Sequence, residues 1–288
     1  MRHWLLGSAA ACAAATAIVV FALHRPDQTA RCPAGLHSVG ARCCGENQSI
    51  RDGHCSGNAT GCTPSMTLVT QDGQQHCQHV AKRVWIAGGQ LNISPTDWEA
   101  EGLVGAYSAI VSAFALDDSE VTWGRYLDCV TRGPCRSITL PKPTSLEPGL
   151  PLTRVSPEQA REICAALGGR LPSGDEWLFA AAGAPAKRFA WGTTGLVCRR
   201  AAFGLAEGPC AWQGSQPELA GARPDGATEL RIHDLAGNVA EWTQEPTEFR
   251  ARGGSFRSTV AGQLKSWSSV DTSAASPDIG FRCAYDQR

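Results

Sequence analysis

Histidine is scarce in this chain where chemistry would need it: of seven in the sequence, only His233 lies beyond residue 79. A mononuclear redox centre draws on imidazole for ligands, and a serine nucleophile draws on it for a base. Neither is expected in the last two hundred or so residues on that count. Paired C-x-x-C is missing too; the nearest approaches to a zinc set are Cys43-Cys44 and H76-C-Q-H79, which do not reproduce the clustered spacing of a structural site. A net charge of -1 provides no electrostatic footprint for nucleic acid. The local basic group Arg250, Arg252 and Arg257 reads as a solvated face. No internal repeat or low-complexity tract occurs. With 43% hydrophobic and 18% charged residues, the composition is that of a globular chain.

Cysteine, by contrast, is abundant, at thirteen. Apart from Cys12, six fall between Cys32 and Cys77 and six between Cys129 and Cys283, so each part can close its own bridges. Such usage suits an oxidising compartment rather than a reducing cytosol. The N-terminus supplies a route there. Trp4 to Leu23 carries no charge and is flanked by Arg2, His3, His24 and Arg25. Its length can span a hydrocarbon core of about 30 Å and exceeds the usual apolar region of a signal peptide. Residues 1-25 are therefore expected to be an uncleaved signal anchor, with cleavage after V20-F-A22 as the alternative. The bulk of the chain is then periplasmic or extracellular, and the membrane is its first expected partner.

Residues 32-79 form a small Cys-rich module, spaced C-x10-C-C-x10-C-x6-C-x14-C, with many glycines and few large apolar residues. It cannot build much core, so disulfides must restrain it. Six cysteines allow fifteen connectivities, and the spacing does not choose among them. The module reads as a stapled spacer or binding knob. It carries N-x-S/T triplets at Asn47 and Asn58, glycan acceptors only in a suitable host.

The large domain, residues 84-286, opens with V84-W-I-A-G-G-Q-L-N-I93, where Gly88-Gly89 suggests a hairpin or bulge between two short runs. Ala109 to Leu116 reads as one strand, Val121 to Val130 as a helix, and Pro141 to Pro151 as an extended surface loop. Two helices have signalled ends. Ser156 with Gln159 makes a capping box, Pro157 takes the first helical position, and Gly168-Gly169 stops the run; Ala160, Ile163, Cys164 and Leu167 form its apolar face. Ser173 with Glu176 caps a second helix that closes at Gly183. Glu176 is thus a cap, and adjacent helical residues do not face each other, so Asp175 and Glu176 are not an acid and base pair. Short strands, few helices and long connections point to an irregular α+β class.

Five motifs carry more than this. They are G169-R-L-P-S-G-D-E-W177, F189-A-W-G192, H233-D-L-A-G-N-V-A-E-W242, R252-G-G-S-F-R-S-T-V-A-G-Q263 and G280-F-R-C-A284. In that order, over Val84 to Tyr285, they resemble the formylglycine-generating enzymes, also called sulfatase-modifying factors. The resemblance implies a loop-rich, C-type-lectin-like α+β fold in which Trp177, Trp191 and Trp242 are core. In the family, two redox cysteines follow the R-G-G-S run; here those positions hold Ser258 and Gln263. The resemblance therefore implies no catalytic residue, no copper and no formylglycine product. The iron sulfoxide synthases built on the same fold need a histidine-rich helical partner domain, which this chain lacks.

The run from Asp234 to Glu241 spaces two carboxylates around backbone carbonyls, a mixture that suits calcium. In the resembled family the matching segment binds structural calcium, which implies Asp234, Gly237, Val239 and Glu241 as its ligands. The alternative is an ordinary Gly-Asn turn before a strand, with Glu241 on the surface. The family's other calcium site has no clear counterpart between Arg199 and Asp225. The resemblance also implies a Cys164 to Cys283 bridge, and short spacing suggests Cys129 with Cys135 and Cys198 with Cys210. The expected function is binding or scaffolding in the cell envelope, with a groove at Arg252, Ser255, Arg257 and Ser258 taking a peptide, protein or small molecule. The alternative is a divergent enzyme that modifies an exported peptide or small molecule without the cysteine pair.

Overall fold

The computed structural model describes residues 36–39, 42–45, 47–51, 54–61, 67–71, 73–78, 80–93, 106–139, 147–195, 198–211, 216–272 and 274–287. The expected anchor at residues 1-25 lies outside them, as do the side chains that would decide the pairing between Cys32 and Cys77. Among the described residues no helix is long and apolar enough to cross a membrane. The small module contributes three antiparallel pairs: β1 (Leu36–Val39) with β2 (Arg42–Gly45), β3 (Ser49–Arg51) with β4 (His54–Ser56), and β5 (Thr67–Gln71) with β6 (Gln74–Gln78). The last closes over a two-residue Asp-Gly connection, whose Gly73 adopts the positive φ of 75° that such a turn requires.

In the large domain β7 (Arg83–Ile86) and β8 (Gly89–Ile93) do not pair with each other, which corrects the expected hairpin or bulge at Gly88-Gly89. β7 pairs with β10 (Phe114–Asp117), and β8 pairs with β9 (Tyr107–Val111). Gly88 is the crossing point between the two sheets. It takes φ of 74°, and a Cβ there would collide with the Val111 carbonyl and the 112–113 backbone. The single strand expected over Ala109 to Leu116 is, for the same reason, two strands that part at Ser112-Ala113.

The first helix, α1 (Trp123–Arg132), starts two residues later than its apolar pattern suggested. Thr122 is the N-cap and accepts a hydrogen bond from Arg125 N, and Gly133 ends the helix at φ of 95°. The end of the Pro141 to Pro151 segment is not a surface loop. Glu147 to Leu152 is buried, and it satisfies α1's first backbone donors: Trp123 N donates to Leu150 O and Gly124 N to Pro148 O. Helices α2 (Pro157–Ala166) and α3 (Gly174–Ala182) each begin with a complete capping box, at Ser156 with Gln159 and at Ser173 with Glu176.

The chain then forms β11 (Ala240–Gln244), β12 (Phe249–Arg252), β13 (Ser269–Asp271), β14 (Ile279–Gly280) and β15 (Ala284–Asp286). One sheet runs β13-β12-β11-β14, its β11-β14 pair parallel; another runs β15-β10-β7. Two cores result. Trp177 of α3 anchors the first with Phe114, Leu116 and Phe256, and Trp242 of β11 anchors the second with Trp123, Ile163 and Phe281. Both tryptophans are fully buried, a position where truncation to alanine costs about 3–5 kcal/mol. Trp191 is half-buried and stacks on Phe189 at 5.0 Å.

Candidate functional site

The segment from Arg252 to Gln263 folds back on itself around two glycines. A Cβ on Gly254, at φ of 66°, would meet the Gln263 carbonyl at 2.6 Å and Ser258 Oγ at 2.9 Å. Ser258 and Gln263, the positions where the resemblance leads us to expect the family cysteines, therefore both pack against one glycine. Their side chains stitch the turn. Ser258 Oγ accepts from Ser255 N at 2.9 Å, and Gln263 Oε1 accepts from Thr259 N at 2.9 Å and Val260 N at 3.4 Å. Ser258 is 7% exposed, and among the described residues its hydroxyl is bonded to no histidine, lysine or carboxylate that could act as a base.

Of the expected groove residues, Arg257 is exposed while Arg252, Ser255 and Ser258 are turned into the fold. Ser255 Oγ donates to Asp278 Oδ2 at 2.8 Å and accepts from Arg257 N at 3.2 Å. Arg252 Nη2 donates to Glu245 Oε1 at 2.8 Å, and its Nε has no partner. Close by, the half-exposed Tyr107 donates to Asp175 Oδ1 at 2.7 Å. Burial first, then that hydrogen bond and the charges of Asp175 and Glu245, push the Tyr107 phenol up to about 12, with Arg252 opposing. Tyr107 and Glu245 were not legible as neighbours of Arg252, since Glu245 arrives by the β11-β12 pairing and Tyr107 by the packing of β9 and β11 against α3. A cavity of ≈ 350 Å³ lies elsewhere, between the loop after α1 and α2, lined by Pro134, Cys135, Ile138, Gln159, Glu162 and Ile163. None of the four expected groove residues lines it.

The run from Asp234 to Glu241 is a buried loop that enters β11, and its surface-turn reading is corrected by Glu241 being fully buried. Asp234, Gly237 and Asn238 take positive φ of 58°, 90° and 59°. At Gly237 a Cβ would meet the Ala202 carbonyl at 2.7 Å. Asp234 Oδ2 accepts from Gly221 N at 2.6 Å. Glu241 Oε1 accepts from Arg282 Nη2 at 2.5 Å, while Oε2 accepts from Arg282 Nε and Trp177 Nε1, both at 2.7 Å. Arg282 also donates to the carbonyls of Asp117 and His233. Burial works against the Arg282 charge, but the surrounding carboxylates, Glu241 first, together outweigh it and hold the guanidinium's pKa above its usual value.

A third carboxylate, Glu120, reaches this loop from the turn before α1. It is fully buried; Oε1 accepts from Asn238 Nδ2 at 2.9 Å and Oε2 has no partner. Burial, then the Asp234 charge, raises its pKa well above the usual carboxylate range. Glu120, Asp234 and Glu241 thus gather about Arg282, an oxygen-rich set of the kind calcium draws on. Among the described residues no three metal-ligating side chains converge tightly enough to hold an ion unaided. Calcium here would draw on backbone carbonyls and water as well as Asp234 and Glu241.

Three disulfides lock the large domain: Cys129–Cys135, Cys164–Cys283 and Cys198–Cys210. Every cysteine beyond residue 80 is therefore bonded. Bridges of this number belong to an oxidising compartment. The Cys164–Cys283 bridge spans 119 residues inside the second core, and on the chain-entropy account it stabilises the fold by about 4–5 kcal/mol.

Fold and site together define a formylglycine-generating-enzyme-like domain. Residues 69–287 match the family of the sulfatase-modifying factor enzyme 1-like domain, and the chain belongs to that family. It is similar to the inactive C-alpha-formylglycine-generating enzyme 2 of Bos taurus, 31% identical over 160 residues, 46% of this chain and 50% of that protein. The Mus musculus protein of the same name is 32% identical over 159 residues, 47% of this chain and 49% of that one. The chain spans about half the length of the curated relatives it matches. Among solved structures, Treponema denticola variable protein 1 has a TM-score of 0.56 at 17% identity, covering 78% of this chain and 100% of that one. PvdO from Pseudomonas aeruginosa has a TM-score of 0.57 at 18% identity, covering 79% and 100%. At these identities the two structures establish the fold alone.

Proposed function

We propose that this protein is a non-catalytic formylglycine-generating-enzyme-like domain, exported to the cell envelope, that works by binding a peptide, protein or small molecule. One observation carries the reading: Ser258 and Gln263 commit their oxygens to the backbone donors of their own turn. Copper-thiolate chemistry needs soft sulfur ligands, and a hydroxyl with an amide provides none. The inactive status in the names of the mammalian relatives supports the same reading. Arg257, the exposed member of the 252–258 group, with the partly exposed Tyr107 and Asp175, supplies the contact surface. In this reading the uncharged run Trp4 to Leu23 attaches the protein to the membrane. Calcium is structural, held by Asp234, the carbonyls of Gly237 and Val239, and Glu241.

The test is oxidation of a C-x-P-x-R peptide in the presence of copper, followed by mass spectrometry. No formylglycine is expected from this chain. Its appearance would overturn the reading. The Ser258→Cys with Gln263→Cys variant asks the converse: copper binding without turnover would place the loss in the remodelled surface as well as in the missing ligands.

A further inference from the structure

The calcium ligands that the resemblance implies all come from one segment, yet the structure sets Glu120, 118 positions away, against Asn238 in the middle of that segment. Four contacts fix its place. His233 N donates to Asp118 O at 2.7 Å, Val121 N to Phe281 O at 2.8 Å, Arg282 Nη1 to Asp117 O at 3.1 Å, and Asn238 Nδ2 to Glu120 Oε1 at 2.9 Å. The first and last hold the 117–121 turn against the 233–241 loop, the other two hold it against Phe281 and Arg282, and Glu120 is left fully buried with no hydrogen-bond partner for Oε2.

We propose that Glu120 belongs to the cation site: its uncommitted Oε2 adds the negative charge that, with Asp234 and Glu241, a bound calcium ion neutralises. The proposal rests on the calcium reading above. The donor count supports it: among the described residues Asp234 Oδ2 and both Glu241 oxygens already accept hydrogen bonds, whereas Glu120 Oε2 accepts none. A buried carboxylate without a partner is strongly disfavoured, so such an oxygen persists in a fold where something answers it. Calcium accepts six to eight oxygen ligands and keeps water among them, so Glu120 is felt by the ion without having to touch it. Binding would then tie the turn before α1 to the loop before β11, two segments that no disulfide joins directly.

The experiment is calorimetric titration of the whole chain with calcium at neutral pH, together with melting curves in calcium and in chelator. Glu120→Gln preserves shape and can still accept from Asn238. It is expected to bind calcium at least about tenfold more weakly than the parent, with the melting curve in chelator checking that the variant is folded. Glu120→Asp keeps the charge and is expected to retain most of the affinity, which separates charge from mere packing. Equal affinity in Glu120→Gln and the parent would overturn the proposal and leave the calcium reading standing. A parent chain that does not bind calcium would overturn both.

Discussion

Arg282 and Glu241, 41 positions apart, form a two-bond ion pair with both side chains fully buried: Nη2 to Oε1 at 2.5 Å and Nε to Oε2 at 2.7 Å. Trp177 Nε1 adds a third bond to the same carboxylate. Three of the five family motifs thus meet at one group, Trp177 from the first, Glu241 from the third and Arg282 from the last. A pair so placed gains little over a well-packed apolar replacement, but removing one partner leaves the other charged and dry.

Glu241→Gln should therefore destabilise the domain by about 3–5 kcal/mol, although it changes one atom of the side chain. Chemical denaturation in urea measures it. Combining it with Arg282→Met should recover part of the loss, because the second change removes the stranded charge. A single variant within about 1 kcal/mol of the parent would show that the pair is answered by solvent.

The sequence made local features readable and left distant ones hidden. Both capping boxes could be placed from residues three apart, because a cap is satisfied within its own turn. Thr122 was missed as the start of α1 since it has no glutamate or glutamine three residues on; its partner there is Arg125. Gly88-Gly89 announced a break in the strand but not that its two sides enter different sheets, which depends on where β9 and β10 fall. The 234–241 segment was readable as a candidate cation loop, whereas Glu120 was not. Its link to Asn238 spans 118 positions and follows no periodicity. The groove residues were readable by type, but the inward turn of Ser255 and Ser258 depends on the positive φ of Gly253 and Gly254.

Thiol titration after denaturation without reductant should find no free cysteine beyond residue 80, since all six are bridged. Replacing Cys164 and Cys283 together by alanine should lower stability by about 2–5 kcal/mol, the larger part of any single-bridge loss because of its 119-residue span. Two or more reactive thiols in this part of the chain would reopen a cysteine-based activity.

Calcium should raise the melting temperature of the parent chain, with a gain of about 2.7 kcal/mol at a hundredfold excess over the dissociation constant. Asp234→Asn is the clean variant, because Asp234 does not carry the Arg282 pair; Glu241 variants would confound ion binding with that pair. The gain should shrink or vanish in Asp234→Asn. A melting curve indifferent to calcium and chelator would leave 234–241 as a buried loop and nothing more.

Tyr107 offers a test of the polar patch beside Arg252. Its folded pKa of about 12 lies above the ordinary value of 10.0, with burial first and the Asp175 hydrogen bond next among the causes. The fold thus favours the neutral phenol. Its contribution to stability is fully present below about pH 10 and is lost as pH rises through about 12. The difference in tyrosinate absorbance between the parent and Tyr107→Phe isolates this group from the chain's other two tyrosines. Two variants should move the midpoint in opposite directions. Asp175→Asn removes an acceptor and a negative charge and should lower it. Arg252→Gln removes the opposing cation and leaves Glu245 unpaired, so it should raise it. A midpoint near 10 in the parent, or shifts of the same sign in both variants, would mean that Tyr107 faces solvent and that Asp175 and Arg252 do not act on it.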